Sequence, residues 1–189
     1  MASATQVIAA SLTLPPGRWA IEPNFSAITF STRLLGLRTV HGRFHVFDVA
    51  LDVGPSGTEF VVEASIDLAS IDTSIARRDA HLRTADFFHV DQHPRMTFRS
   101  TRIEPVGGSY TMSGDLTLKG VTRAVTLEVQ SNGLAASPDG RTRFGLSAAG
   151  ELRRSDLEFG LKPLGLDRLV LADKVEFELD MQFVQQSVA

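Results

Sequence analysis

The chain has 189 residues and a mass of 20.5 kDa, enough for one domain with a well-filled core, and no Pro/Gly/Ser-rich break divides it. Its net charge of −3, with Lys and Arg scattered along the chain, offers no electrostatic footprint for nucleic acid or for an anionic bilayer. With no cysteine, disulfide frameworks, thiolate catalysis and cysteine-based metal sites are excluded.

Residues 1–17 read as a flexible arm and residues 18–189 as one domain. A secretory signal needs a basic start followed by an unbroken apolar stretch. Here Thr5, Gln6, Ser11 and Thr13 interrupt the apolar residues and the first basic residue is Arg18, so the expectation is a cytoplasmic protein. No run approaches the length of a membrane span, so no stable membrane insertion is expected.

From Trp19 onward the apolar residues recur with period two, the mark of strands with one buried and one wet face. Strands are readable at residues 27–35 and 40–53, then at Phe60, Val62, Ala64, Ile66 and Leu68, which alternate with Glu63, Ser65 and Asp67. Period two fails between residues 75 and 88, where Ile75, Asp79 and Leu82 carry helical character, so a short helical insertion is predicted there. Strands resume at residues 96–103, at Tyr110, Met112, Gly114, Leu116 and Leu118, and at residues 121–130 and 143–152. The last strand holds Val175, Phe177, Leu179, Met181 and Phe183. Gly107-Gly108, Lys119-Gly120, Asn132-Gly133 and Asp139-Gly140 supply turns between strands.

The fold class is therefore all-β, with about eight strands, each with one apolar face. Such strands bury that face either as two packed sheets or as one sheet closed on itself, and patterning alone does not choose. Mostly short antiparallel connections favour an up-and-down barrel. A barrel of this size is either filled by side chains or hollow enough for one ligand. Small residues at inward positions, Ala64, Ser100, Gly114, Ala148 and Gly150, leave both readings open: they interdigitate with large neighbours, or they leave a lumen.

The most informative stretch is Ser65-Ile66-Asp67-Leu68-Ala69-Ser70-Ile71-Asp72-Thr73, followed by Arg78-Asp79-Ala80-His81-Leu82, Asp86-Phe87-Phe88 and His93-Pro94. With Trp19-Ala20-Ile21-Glu22-Pro23, the segment Gly114 to Thr122 and Arg154-Ser155-Asp156, it resembles the YceI-like family from about Gly17 to the C-terminus. The resemblance implies a lipocalin-like antiparallel β-barrel holding a long apolar molecule, typically a polyisoprenoid, and it implies a homodimer. The chain departs from the family pattern at Phe25-Ser26 and Leu34-Leu35-Gly36, where the family places histidines. The family's Arg-Ser-Asp-Phe-Gly is expanded to Arg154-Ser155-Asp156-Leu157-Glu158-Phe159-Gly160. With Leu34 in phase with Ile28 and Phe30, one end of the cavity is expected to be more apolar than in other members.

The candidate ligand-binding residues are Phe30, Leu34, Phe44, Phe87, Phe88, Met96, Phe98, Met112, Gly114, Leu116, Phe144, Leu146 and Phe177. Phe87 and Phe88 either divide between core and cavity mouth or both anchor the helical insertion. Arg33, Arg38, Arg102 and Arg154 are candidates for a ligand headgroup. His81, His89 and His93, interleaved with Asp79, Asp86 and Asp91, match no zinc spacing, and Pro94 disfavours the helix that would put His89 and His93 on one face. Neither a metal nor a cofactor is expected, and Arg78, Asp79 and His81 read as groups that satisfy loop backbone. There is no Gly-x-Ser-x-Gly elbow and no phosphate-binding glycine loop. The expected function is binding, sequestration or transport of an elongated apolar ligand. The alternative is an isomerase, cyclase or dehydratase using the barrel as a reaction cavity, which requires a polar dyad in the lumen, where only Thr32, Ser100 and Tyr110 are in phase.

Overall fold

The computed structural model of the protein describes residues 12–157 and 171–186. Six strands precede the helix: β1 (Gly17–Ile21), β2 (Ala27–Leu34), β3 (Arg38–Phe44), β4 (Phe47–Val53), β5 (Phe60–Asp67) and β6 (Ile71–Asp72). After α1 (Ala76–Arg83) come β7 (Arg95–Val106), β8 (Ser109–Leu118), β9 (Val121–Ala136), β10 (Thr142–Arg153) and β11 (Leu171–Gln185). These strands pair antiparallel, and β1 meets both β4 and β11, so the sheet closes on itself.

Three strand pairs lie end to end. β1 and β2 both run along β11, while β3 and β4, and β5 and β6, are halves of two further bent strands. Counted so, the wall is an eight-stranded up-and-down barrel. Each bend is a phase slip in the apolar pattern. Val40 and Phe44 face inward at even positions of β3, but Val49, Leu51 and Val53 face inward at odd positions of β4. One uninterrupted strand over residues 40–53 would have put Val49 on the wet face. The chain instead breaks at His45 and Val46, leaving Val46 56% exposed.

The insertion is shorter than its sequence pattern: α1 stops at Arg83, where the Thr84 hydroxyl donates to the His81 carbonyl (2.7 Å). It seals the barrel beside β6. Arg83 donates through Nε to the Ala69 carbonyl and through Nη2 to the Ile71 carbonyl, both at 2.8 Å. Edge carbonyls that would otherwise be unpaired are thereby satisfied. We call this end, which also carries the β2–β3 and β8–β9 turns, the helix end.

The opposite end is closed by residues read from sequence as a loose arm. Leu14 is only 1% exposed, and its amide donates to the Gly57 carbonyl (2.9 Å). The Leu12 amide donates to the Tyr110 hydroxyl, and Trp19 Nε1 donates to the Pro15 carbonyl (3.1 Å). Residues 12–16 are thus part of the barrel, while residues 1–11 of the expected arm lie outside the described residues. Fully buried Trp19 meets Phe144 edge-on (6.5 Å between centroids), and Phe144 stacks on Phe183 (6.4 Å), which makes an aromatic floor.

A charge network ties the β1–β2 bend to β10 and β11. Arg143 donates to both oxygens of Glu22 (2.8 and 3.0 Å) and also to Asp139, while Gln182 Nε2 donates to Glu22 (2.8 Å). The Arg143 bonds, then that of Gln182, hold the Glu22 carboxyl below its ordinary value of 4.5 against a smaller opposing effect of burial. Arg143 also holds Asp139 well below the carboxylate range. A carboxyl with a lowered folded-state pKa stabilises fully above its unfolded value and loses that contribution as pH falls through the folded one. Wild type is therefore expected to lose stability below pH ~4.5, and Glu22→Gln to show a shallower acid limb in denaturant melts taken across that range. Parallel limbs would remove Glu22 as the linked group.

Candidate functional site

The eight-stranded wall encloses a cavity of about 300 Å³, at the low end of the ~300–1,000 Å³ range of small-molecule pockets. It runs from Leu12 and Leu14 at one end to Leu34, Leu118 and Leu152 at the helix end. The reason is the strand alternation itself: Ile28, Phe30, Thr32 and Leu34 of β2 line it, as do Phe60, Val62, Ala64 and Ile66 of β5. Val175, Phe177, Leu179, Met181 and Phe183 of β11 complete the pattern on the far wall.

Of the residues chosen from sequence, Phe30, Leu34, Phe44, Phe87, Phe88, Met96, Phe98, Met112, Leu116, Phe144, Leu146 and Phe177 all line this cavity. Gly114 does not. A Cβ built on it would lie 2.4 Å from Phe98 Cζ and 2.5 Å from the Arg99 carbonyl oxygen, so the Phe98 ring occupies the space the glycine leaves. The same packing recurs twice. A Cβ on Gly42 would lie 2.3 Å from Phe30 Cζ, and one on Gly150 would lie 2.5 Å from Leu127 Cδ2 and 2.9 Å from Phe177 Cε2. Phe30 faces Gly42 across β2 and β3, and Phe177 faces Gly150 across β11 and β10. Rings that lie over glycines stay flat against the wall instead of projecting inward. The two readings of the small residues are both realised: these glycines interdigitate with aromatics, and that interdigitation keeps the centre open.

Ser100 is buried in phase with Phe98, as read, but does not line the cavity: just before the bulge at Thr101 its hydroxyl accepts the Val62 amide (2.8 Å) and is held in the wall. Phe88 packs on Phe44 (6.4 Å) and Phe87 on His81 (5.3 Å), so both aromatics anchor the insertion and both reach the cavity. Sequence reasoning missed Leu12 and Leu14, although their spacing of two was a usable signal. It also missed Arg78 as a lining residue, since nothing local distinguishes it from a loop arginine.

The closed barrel with its sealing insertion, and the signature carried by residues 65–94, agree with a family model described as a YceI-like domain, which matches residues 19–183. The chain belongs to the YceI-like family. Protein YceI of Shigella flexneri is 33% identical over 168 residues, spanning 87% of this chain and 84% of that protein. Among solved structures, Burkholderia cenocepacia BcnA superposes with a TM-score of 0.76 at 22% identity, covering 86% of this chain and 98% of that one. A polyisoprenoid binding domain from Saccharophagus degradans superposes with a TM-score of 0.66 at 18% identity, covering 89% and 98%. At these identities the superpositions show the fold.

The YceI-like signature residues mostly build the frame of the site. Asp67 caps the bend by accepting the Ala69 amide (2.8 Å), and Ser70 donates to the Asp67 carbonyl (2.6 Å). His45, then the Ser74 amide, hold the Asp72 carboxyl down at about 2. Asp79, only 7% exposed, accepts the Thr73 amide and hydroxyl, and Arg78 donates to the Thr73 carbonyl (2.7 Å) and hydroxyl (2.6 Å). Of the four headgroup arginines expected in this YceI-like chain, Arg154 alone lines the cavity. It is 4% exposed, with Nε donating to the Ala172 carbonyl (2.9 Å). Arg33 and Arg38 are exposed beside the β2–β3 turn, and Arg102 pairs with Glu104 (2.7 Å). The altered entrance expected from Glu158-Phe159-Gly160 lies outside the described residues.

The histidines do not converge. The rings of His89 and His93 lie 6.0 Å apart between centroids, His81 meets Phe87 edge-on, and Asp79 is turned to Thr73. Among the described residues no group of three or more His or carboxylate side chains gathers as a metal site.

Proposed function

We propose that this YceI-like barrel binds one elongated apolar molecule, a polyisoprenoid or related lipid, in its lumen and sequesters or transports it without chemistry. The observation that carries this reading is the continuous hydrocarbon lining from Leu14 to Leu34 around an open centre. Each buried methylene contributes roughly 0.8 kcal/mol of transfer free energy, so a few isoprene units supply ample gross driving force before ordering costs are subtracted. The Saccharophagus degradans domain of the same fold, named for polyisoprenoid binding, supports the ligand class. Binding without chemistry is supported by the state of the polar groups that reach the lumen. The Thr32 hydroxyl donates to the Lys174 carbonyl (2.9 Å), that of Thr73 to Asp79, Tyr110 accepts from Leu12, and the two lining arginines donate to backbone, Arg78 to the Thr73 carbonyl and Arg154 to the Ala172 carbonyl. None of these forms a lumen-facing acid/base dyad of the kind the enzymatic alternative requires.

The test is organic extraction of purified protein followed by mass spectrometry, with uptake of a fluorescent prenol by the stripped protein as a second arm. A long isoprenoid or acyl compound in the extract, or saturable uptake at one molecule per barrel, is the expected result. An empty extract together with no uptake overturns the reading.

A further inference from the structure

The β2–β3 turn presents leucines to solvent at the helix end of the lumen. The Leu37 amide donates to the Leu34 carbonyl (3.0 Å), closing a turn whose two central residues, Leu35 (φ 51°) and Gly36 (φ 68°), are both left-handed. Asn-Gly or Gly-Gly pairs favour such a turn, because a residue with a branched apolar side chain pays in strain for positive φ. This chain places leucine there, 58% exposed, and follows it with Leu37, 92% exposed. The turn therefore sacrifices both local backbone energy and solubility. Leu34, the residue before it, lines the cavity.

Arg33 and Arg38 flank the three leucines, both exposed, and Arg38 forms no ion pair among the described residues. An apolar tip between two long cations has the profile of a segment that dips leucines below the headgroups while the guanidinium groups stay at phosphate level. A net charge of −3 gives no long-range attraction, so such contact is shallow and transient.

We infer that the β2–β3 turn docks the helix end of the barrel on a lipid bilayer surface, with Leu35 and Leu37 inserted and Arg33 and Arg38 on lipid phosphates. The docking site is separate from the lumen. Only its consequence, loading of an apolar ligand directly from the bilayer, rests on the proposed function.

The experiment is flotation with vesicles of equal parts phosphatidylcholine and phosphatidylglycerol, comparing wild type with Leu35→Asn/Leu37→Ser. Asparagine suits positive φ better than leucine, so the double variant should melt no lower than wild type. Its vesicle partition should fall roughly tenfold or more. Its uptake of a fluorescent prenol delivered from cyclodextrin should be unchanged, while uptake from the vesicles slows. Wild type that does not float, as expected if the tip binds a protein instead, overturns the inference, and so does a variant that floats equally well. Failure of prenol uptake from cyclodextrin by wild type, together with an empty organic extract, overturns the lumen reading and leaves the flotation result standing by itself.

Discussion

Replacing Met112 with glutamate is expected to abolish uptake of an apolar probe at neutral pH and to lower stability by several kcal/mol. Met112 is 6% exposed on the inner face of β8, and its cross-strand neighbours are Ile103 and Leu127. Neither offers a hydrogen bond or a counter-charge, so an ionised carboxylate there is desolvated without compensation. Its pKa must rise above the usual ~4.3. A carboxyl raised in the folded state costs little below its unfolded value, and the cost grows as pH climbs toward the folded one. The deficit of the variant relative to wild type should accordingly be smallest near pH 4 and largest near neutrality. Met112→Leu conserves the apolar lining and should retain uptake. A Met112→Glu protein that binds the probe as wild type does at neutral pH would mean that the ligand lies elsewhere.

The second large effect separates two glycines of the wall. Gly114→Ala brings Cβ against the Phe98 ring and, at 2.5 Å, against the Arg99 carbonyl oxygen, which is backbone and cannot turn aside. It should cost about 1–3 kcal/mol through overpacking, seen as a drop of roughly 2–4 °C in Tm for each kcal/mol. Gly42→Ala meets only the outer atoms of the Phe30 ring. That ring has open cavity beside it and is expected to swing inward, leaving a folded protein with a narrower lumen and weaker uptake. Adding Phe30→Leu to Gly42→Ala should restore uptake, a coupling that a double-mutant cycle measures directly. Wild-type uptake by Gly42→Ala alone would show that the lumen is not limited at this ring.

The reach of sequence reasoning is clearest at β8 and β11. Tyr110 to Leu118 and Val175 to Phe183 kept strict period two, and the structure places their apolar residues on the inner face as read. It was weakest where the period slipped, at His45-Val46 and at Thr101, because a one-residue phase change looks like noise in a single strand. Only the pairing partners reveal it as a bend or bulge.

By itself the sequence determined the all-β class, about eight one-faced strands, one helical insertion and an apolar inner wall. All of these are local, because side-chain direction in a strand depends only on position parity. Tertiary structure alone decided that residues 12–16 close one end and that the lumen is open. Both depend on which residues meet across strands distant in sequence: Leu14 with Gly57, Phe30 with Gly42, Phe98 with Gly114 and Phe177 with Gly150. A glycine looks the same in sequence whether a ring or empty space stands over it, and that difference sets whether a barrel is filled or hollow.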